Sequence, residues 1–429
     1  MGEILKGATL LEFNPPRAER ADLRVESCAI AARAESLRPE PGDRVTDLSG
    51  KVVIPGLVCA HTHLYSALAR GMPPPRKSPS GLLETLEQIW WKLDRALDPE
   101  LVSLSAQVGA AEALLAGTTT LVDHHASPSF IEGSLGAVRD GLEKVGARGV
   151  LCYEVTDRNG RAGREAGLRE TEAFLRGEQT SRCRGMVGGH ASMTLERETL
   201  EALGALARRF EVGVHLHVAE SLDDEKDAVR RGSKGVMARL TEAGLLGPRA
   251  ILAHCTNLSW EELSEAQQTG AWLVHNPRSN MNNAVGYAPA LKFGARKALG
   301  TDGLGGDLFA EAQVAVLRAR EAEAPIDPLA WLGGGHSLAG EIFGAPLGLL
   351  APGALADLVV IDYPSPTPLS TANLASHLTF GLGAAHVDGV MVDGAWRVWA
   401  RQLLGVDHAE LCARSSEAAR RLWSRMAEL

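Results

Sequence analysis

Short apolar runs recur through the centre of the chain, separated by longer stretches in which apolar residues return every three to four positions. A run of strand length bounded by polar turns reads as a buried strand, whereas the three-to-four spacing places one apolar stripe along a helix. The runs at 52–59, 119–123, 149–153, 184–188, 211–217, 250–254, 271–274 and 297–301 predict eight strands. The stretches 102–115, 134–145, 164–175, 195–210, 221–243, 259–268 and 310–321 predict the helices between them. Strands alternating with helices imply parallel pairing through crossovers. Eight such units make an α/β fold of the (β/α)8 TIM-barrel type, with its chemistry at the C-terminal ends of the strands.

The two ends of the chain have a different texture. Short alternating segments fill the first part, broken by Asn14-Pro15-Pro16, and similar segments return at 357–363 and 387–398, the second with an Asp393-Gly394 turn. Alternation with tight turns predicts antiparallel strands. The ends are therefore expected to pair into a second, smaller β-sandwich domain, with parts at 1–54 and 346–400 flanking a barrel at 55–345. Residues 401–429 are expected to carry a C-terminal helix whose amphipathic stripe offers a surface for oligomerisation. The connection 64–101 is long and contains Pro73-Pro74-Pro75 and Trp90-Trp91, which suits a cover over a site.

Composition narrows the class. Hydrophobic residues make up 45% and charged residues 23% of the chain, which places it among ordinary globular proteins. The net charge of -9 is spread along the sequence with no basic arm or stripe, so nucleic acid is excluded as a general partner. Cysteines 28, 59, 152, 183, 255 and 412 include no C-x-x-C pair, which points to free thiols in a reducing compartment. No basic-then-apolar leader opens the chain and no apolar segment of ~18 residues follows, so a cytoplasmic location without membrane contact is expected.

The candidate chemistry lies at strand ends. In His61-Thr62-His63 the two imidazoles alternate to the same side of a strand and can share a metal; two solvent-facing histidines produce the same pattern. His190, His217, His254 and Asp302 follow other predicted strands, where barrel sites are built. Three neutral imidazoles and a carboxylate suit one divalent metal per chain, zinc foremost, with iron or manganese also accommodated. Glu220, three residues beyond His217, is placed for acid–base work beside such a metal. His215 alternates with His217 and is an alternative ligand. Trp90 is positioned to stack on a flat ring, His125 ends the second strand, and Asn280 lies in the polar loop 276–283.

Together, PGLVCAHTHLYSALARG, GTTTLVDHH, GGHASMTLE, VHLHVAE, ILAHC, VHNPRSNMNN, LGTDG and GALADLVVIDY resemble the amidohydrolase superfamily in its cytosine deaminase and chlorohydrolase branch. GTTTLVDHHASP, LCYEVTDRNG and HNPRSNMNNAVG resemble most the selenium-metabolism-associated aminohydrolases of the SsnA type. The resemblance implies that His61, His63, His217 and Asp302 hold a single metal, with no lysine after strand four to bridge a second. It also implies that Glu220 shuttles a proton, His254 polarises water or the leaving group, and His190 touches substrate. Asp94 matches an acidic lid residue of adenosine-type relatives, whereas Tyr153 stands where those relatives have an arginine. The implied reaction is deamination of a nitrogen heterocycle such as a purine, pyrimidine or triazine by metal-activated water. Hydrolysis of an amide, amidine or chloro substituent is the alternative, and a non-catalytic scaffold a remote one. A homo-oligomer, commonly a dimer, is also implied.

Overall fold

The computed structural model describes residues 2–75, 77–177 and 179–429, so Met1, where the expected terminal β unit begins, lies outside them. The amino-terminal strands are β1 (Gly2–Phe13), β2 (Pro16–Glu26), β3 (Ala29–Ala34), β4 (Arg44–Asp47) and β5 (Val52–Pro55). The central strands are β6 (Leu57–Thr62), β7 (Thr118–His125), β8 (Arg148–Tyr153), β9 (Cys183–Gly185), β10 (Val187–Ala191), β11 (Val214–Val218), β12 (Ile251–His254), β13 (Trp272–His275) and β14 (Lys297–Leu299). The chain then adds β15 (Leu358–Ile361), β16 (Val387–Val392), β17 (Ala395–Trp399) and β18 (Gln402–Leu403).

Every residue of β6, β7 and β8 is buried, which is why the centres of these strands, such as Leu57–Ala60 and Val150–Cys152, read as continuous apolar runs rather than alternating ones. They belong to a four-stranded parallel sheet, β6-β7-β8-β9, and β10 to β14 form a five-stranded parallel sheet in chain order. The single strand expected at 184–188 is two pieces that part at Met186: β9 pairs with β8, and β10 turns to β11. The close approach at this turn needs glycine, since a Cβ on Gly188 would collide with the Tyr153 carbonyl and the Cys152 sulfur. Isolated parallel bridges, Val155 to Gly189 and Thr62 to Asp302, tie the outer strands of the two sheets together.

The terminal strands form one nine-stranded sheet in the order β18-β17-β16-β15-β5-β1-β2-β3, with β4 beside β1. The two chain ends pair because β5 lies beside β1 on one side and antiparallel to β15 on the other. One face encloses a small core of its own, built on Leu5, Leu10, Leu23, Val53, Leu358, Val360 and Met391. Leu11, Ile54, Val359 and Ile361 alternate to the other face and enter the main core. Asp393 and Gly394 both have positive φ between β16 and β17, as a tight hairpin turn requires.

Most expected helices form, with shifted ends. The helix expected over 221–243 is two, Leu222–Arg230 and Val236–Glu242, because Gly232 adopts a left-handed φ of 87° between them. Helix Pro328–Phe343 was not expected from the pattern. Its Gly334 and Gly335 lie against the Lys297 and Val58 carbonyls, an approach that a Cβ would block. The connection 64–101 is partly helical: a 3-10 segment Leu64–Ala69, then Leu82–Thr85, a π-helical turn Leu86–Trp90, and Trp91–Ala96. Helix His408–Glu428 buries Leu411, Ala418 and Leu422 within the chain. Its Trp423 Nε1 donates to the Leu68 carbonyl at 3.0 Å, while Arg425 and Arg421 pair with Asp98 and Glu100. Much of the stripe expected to serve oligomerisation therefore braces the cover segment instead. Among the described residues no helix is long and apolar enough to cross a membrane.

Candidate active site

His61 and Thr62 end β6, His63 follows, and His217 lies in β11; Asp302 stands just after β14 with a positive φ of 53°. His254 ends β12 with a φ of 74°. Positive φ is uncommon outside glycine, and here both strained positions aim side chains into one cleft. His63 Nε2 lies 3.0 Å, and His61 Nε2 3.3 Å, from Asp302 Oδ1; His63 Nε2 and His217 Nε2 are 3.1 Å apart.

The outer nitrogens decide which atoms face inward. His63 Nδ1 lies 2.6 Å from the His124 carbonyl and His217 Nδ1 lies 2.8 Å from the His190 carbonyl. A carbonyl only accepts, so both Nδ1 atoms carry a hydrogen, and when both rings are neutral their Nε2 atoms turn lone pairs toward one another. Two lone pairs at that distance repel unless a cation lies between them. His61 Nε2 is buried with Asp302 Oδ1 beside it, and its Nδ1 contacts His215 Nε2 at 2.9 Å. Tetrahedral ligands on zinc at about 2.0–2.1 Å stand roughly 3.3 Å apart, so this donor set fits a single divalent metal. His215, the alternative ligand in the sequence, sits one layer deeper as the partner of His61.

The charge balance agrees. Burial pushes His61 down to about 3, against its hydrogen bond to Asp302, and burial with neighbouring imidazoles pushes His217 well down. Burial also works against a charged His63, yet Asp302 overrules it and raises His63 to about 9, so without metal a proton occupies this position. Burial favours a neutral Asp302, but hydrogen bonds from His61 and His63 outweigh it and hold the carboxyl well below its usual range. Ser279 donates to its Oδ2.

Glu220 and His254 flank the donor set, with Glu220 Oε2 3.8 Å from His254 Nε2. Burial raises the Glu220 carboxyl, partly opposed by His254. Asn283 Nδ2 donates to Glu220 Oε1 at 3.3 Å. Asn280 Nδ2 donates to Thr256 Oγ1 at 3.2 Å, which turns Asn280 Oδ1 toward His254 Nδ1 at 2.8 Å. His254 Nδ1 is thereby the protonated nitrogen, and its unpartnered Nε2 turns a lone pair toward the Glu220 side of the donor set.

The cleft, about 500 Å³ of space open to solvent, is lined by His63, His217, Asp302, Glu220 and Asn283 with Trp90, Trp91, His190 and Glu154. Three expected substrate contacts do not line it. Asn280 is buried between His254 and Thr256. Asp94 is buried and ion-paired with Arg158, which lies over the Trp91 ring. His125 is buried with its Nε2 on Ser127 Oγ at 2.9 Å, and burial pushes it down to about 3. Arg278 is committed to Glu311 and the Gly305 carbonyl. Glu154 gains a role here that the sequence did not single out, its signal being an acidic residue directly after an apolar strand, while Ser279 and Asn283 of the polar loop 276–283 turn to Asp302 and Glu220.

Residues 52–397 match the amidohydrolase family profile. The chain belongs to the amidohydrolase family. This amidohydrolase is 30% identical over 409 residues to the 5'-deoxyadenosine deaminase of Methanothermobacter thermautotrophicus, covering 91% of this chain and 92% of that one. It is 31% identical over 405 residues to the 8-oxoguanine deaminase of Pseudomonas aeruginosa, covering 87% and 88%. Among solved structures, the adenosine deaminase from Xanthomonas campestris with bound zinc shares the fold at a TM-score of 0.86 and 24% identity, over 100% of this chain and 99% of that one.

Proposed function

We propose that this amidohydrolase deaminates a purine-type heterocycle, with His61, His63, His217 and Asp302 holding one zinc ion. The chain is a hydrolase of carbon–nitrogen bonds other than peptide bonds, a metal-dependent aminohydrolase of heterocycles. The observation that carries the assignment of the centre is the pair of Nε2 lone pairs, on His63 and His217, converging beside Asp302 with Glu220 and His254 in reach. When bound, the metal supplies Lewis acidity that lowers the pKa of a coordinated water to about 7.

The remaining steps belong to side chains. His254 Nε2, its lone pair kept inward by Asn280, accepts a hydrogen bond from the attacking water and orients it. Asp302, steadied by Ser279, takes the water's proton as the new carbon–oxygen bond forms. Glu220, its carboxyl raised by burial, protonates the ring nitrogen next to the reacting carbon. The amino group takes the proton held by Asp302 and leaves as ammonia as the carbon–nitrogen bond breaks; the hydroxyl proton returns to Glu220, the ring nitrogen keeps its proton, and the ring carbon keeps the oxygen as a carbonyl. Trp90 and Trp91 cover the ring and exclude bulk water.

The scaffold reading is a barrel at 55–345 closed from the two parallel sheets, with a β domain from 1–54 and 346–400 and a helix at 401–429. The bridges Val155 to Gly189 and Thr62 to Asp302 support that closure. An ammonia-release screen over amino-purines, pyrimidines, pterins and triazines, run with metal analysis, tests the function. One metal per chain and ammonia from purines are expected. Metal without ammonia from any ring refutes the deaminase reading.

A further inference from the structure

Glu154 follows β8, away from Glu220 and His254 in strand order, and its carboxylate reaches within 4.8 Å of donor atoms on both His190 and His217. It is buried yet lines the cleft. Its Oε2 is engaged by His124 Nδ1 at 3.1 Å. His124 Nε2 faces the Gly189 and His215 carbonyls at 3.1 and 3.2 Å, so that nitrogen donates. Whichever of His124 and Glu154 carries the shared proton, it lies on the Oε2 side. Oε1 is left as an acceptor toward the cleft.

His190 presents a second acceptor beside it. Thr194 Oγ1 gives its hydrogen to the Ala191 carbonyl at 3.1 Å and so accepts from His190 Nδ1 at 2.7 Å. With the ring hydrogen on Nδ1, His190 Nε2 turns a lone pair toward Glu154 Oε1, 3.8 Å away. That separation is too long for the bond a charged imidazolium would make to a carboxylate. Two acceptors face each other across a gap that a single N–H-bearing group can bridge. Among the described residues that line the cleft there is no Lys or Arg to pair with them.

We infer that Glu154 Oε1 and His190 Nε2 form a two-acceptor clamp for a second amino group on the substrate, which makes the substrate class a diamino heterocycle. The inference rests on the aminohydrolase reading: one amino group leaves at the metal, and the other is held by the clamp. A ring with only the leaving amino group offers at most a single ring N–H to the pair, so at least one of the two acceptors is left buried without a donor. A site built around such a hydrogen bond rejects the analogue that lacks it by large factors.

The test pairs each diamino ring with its monoamino counterpart: 2,6-diaminopurine with adenine, 2,4-diaminopteridine with 4-aminopteridine, and 2,4-diamino-1,3,5-triazine with 2-amino-1,3,5-triazine. On the metal-loaded wild-type protein, kcat/KM for ammonia release is expected to favour the diamino member by about 100-fold or more in at least one pair. Ammonia released equally, within threefold, from both members of every active pair overturns the clamp and leaves the deaminase standing. No ammonia from any of them refutes the deaminase reading itself. In Glu154→Leu the ratio is expected to collapse, whereas Glu154→Gln, which can donate to His124 and keep an oxygen toward the cleft, should retain most of it. Thr194→Val removes the acceptor that fixes the His190 tautomer without touching the cleft. It should lower the ratio roughly tenfold, and it carries the test if Glu154→Leu fails to fold. A ratio unchanged in Thr194→Val, or a second metal equivalent held at Glu154 and His190, overturns the proposal.

Discussion

Replacing Asn280 with alanine tests whether the outer hydrogen bond governs the chemistry of His254. Asn280 Oδ1 is the acceptor that keeps the hydrogen on His254 Nδ1, 2.8 Å away, and both residues are buried. Its removal leaves a buried imidazole N–H without a partner, which costs about 1–3 kcal/mol. The ring can recover part of that by moving its hydrogen to Nε2, where it meets Glu220 Oε2 and can no longer accept from the attacking water. At about 1.4 kcal/mol per factor of ten, kcat/KM should fall roughly 5- to 150-fold. The expected pattern is a lower kcat with KM and metal content little changed, since Asn280 touches neither the cleft nor the donor set. Thr256→Val is the control: it removes only the acceptor of Asn280 Nδ2 and leaves Oδ1 in place, so activity should stay within about threefold. If Asn280→Ala keeps wild-type kcat with its metal bound, the tautomer argument is wrong.

Other consequences are open to direct measurement. In the metal-free protein His63 is raised to about 9, so it is protonated at pH 7 and must lose that proton to bind metal. Calorimetry in buffers of different ionisation enthalpy should show about one proton released per metal at pH 7, vanishing above pH 9 to 10. The same shift means that the metal-free fold is most supported by His63 below pH 6.5 and loses that support as pH rises through 9, a trend that thermal melts after chelation should display. Gly300→Ala places a Cβ 2.8 Å from the His61 Cβ and carbonyl oxygen, so the variant should bind metal weakly, and full metal occupancy would contradict the packing. Trp423→Phe removes the donor to the Leu68 carbonyl at a cost of about 1 kcal/mol. Faster proteolysis within 64–101 is the expected readout, and an unchanged digestion rate would show that the helix does not brace the cover.

The donor set was legible because period-two alternation and apolar runs put His61, His63 and His217 at strand ends without any need for packing detail. Alternation could not separate His215 from His217: both point inward, and only depth along the strand decides which reaches the cleft and which backs His61. Asn280 and Ser279 read as a polar turn, since sequence does not reveal that helix Pro277–Asn282 turns one toward His254 and the other toward Asp302. Helix Pro328–Phe343 was hidden by Gly333, Gly334 and Gly335, which weaken helix propensity locally and are retained where backbone meets backbone. Asp94 looked available because its distant partner Arg158 cannot be inferred from spacing.

The pairing of β5 between β1 and β15 has a kinetic meaning. Val52–Pro55 leads directly into β6 and the histidines that follow, yet its second edge is satisfied only by Leu358–Ile361, contributed from far along the chain. Contacts of such high sequence separation form late, because loop closure precedes any gain from them. The segment leading into β6 is anchored on both edges only once the distant strand has docked, so metal capture is expected to track the slowest refolding phase rather than precede it.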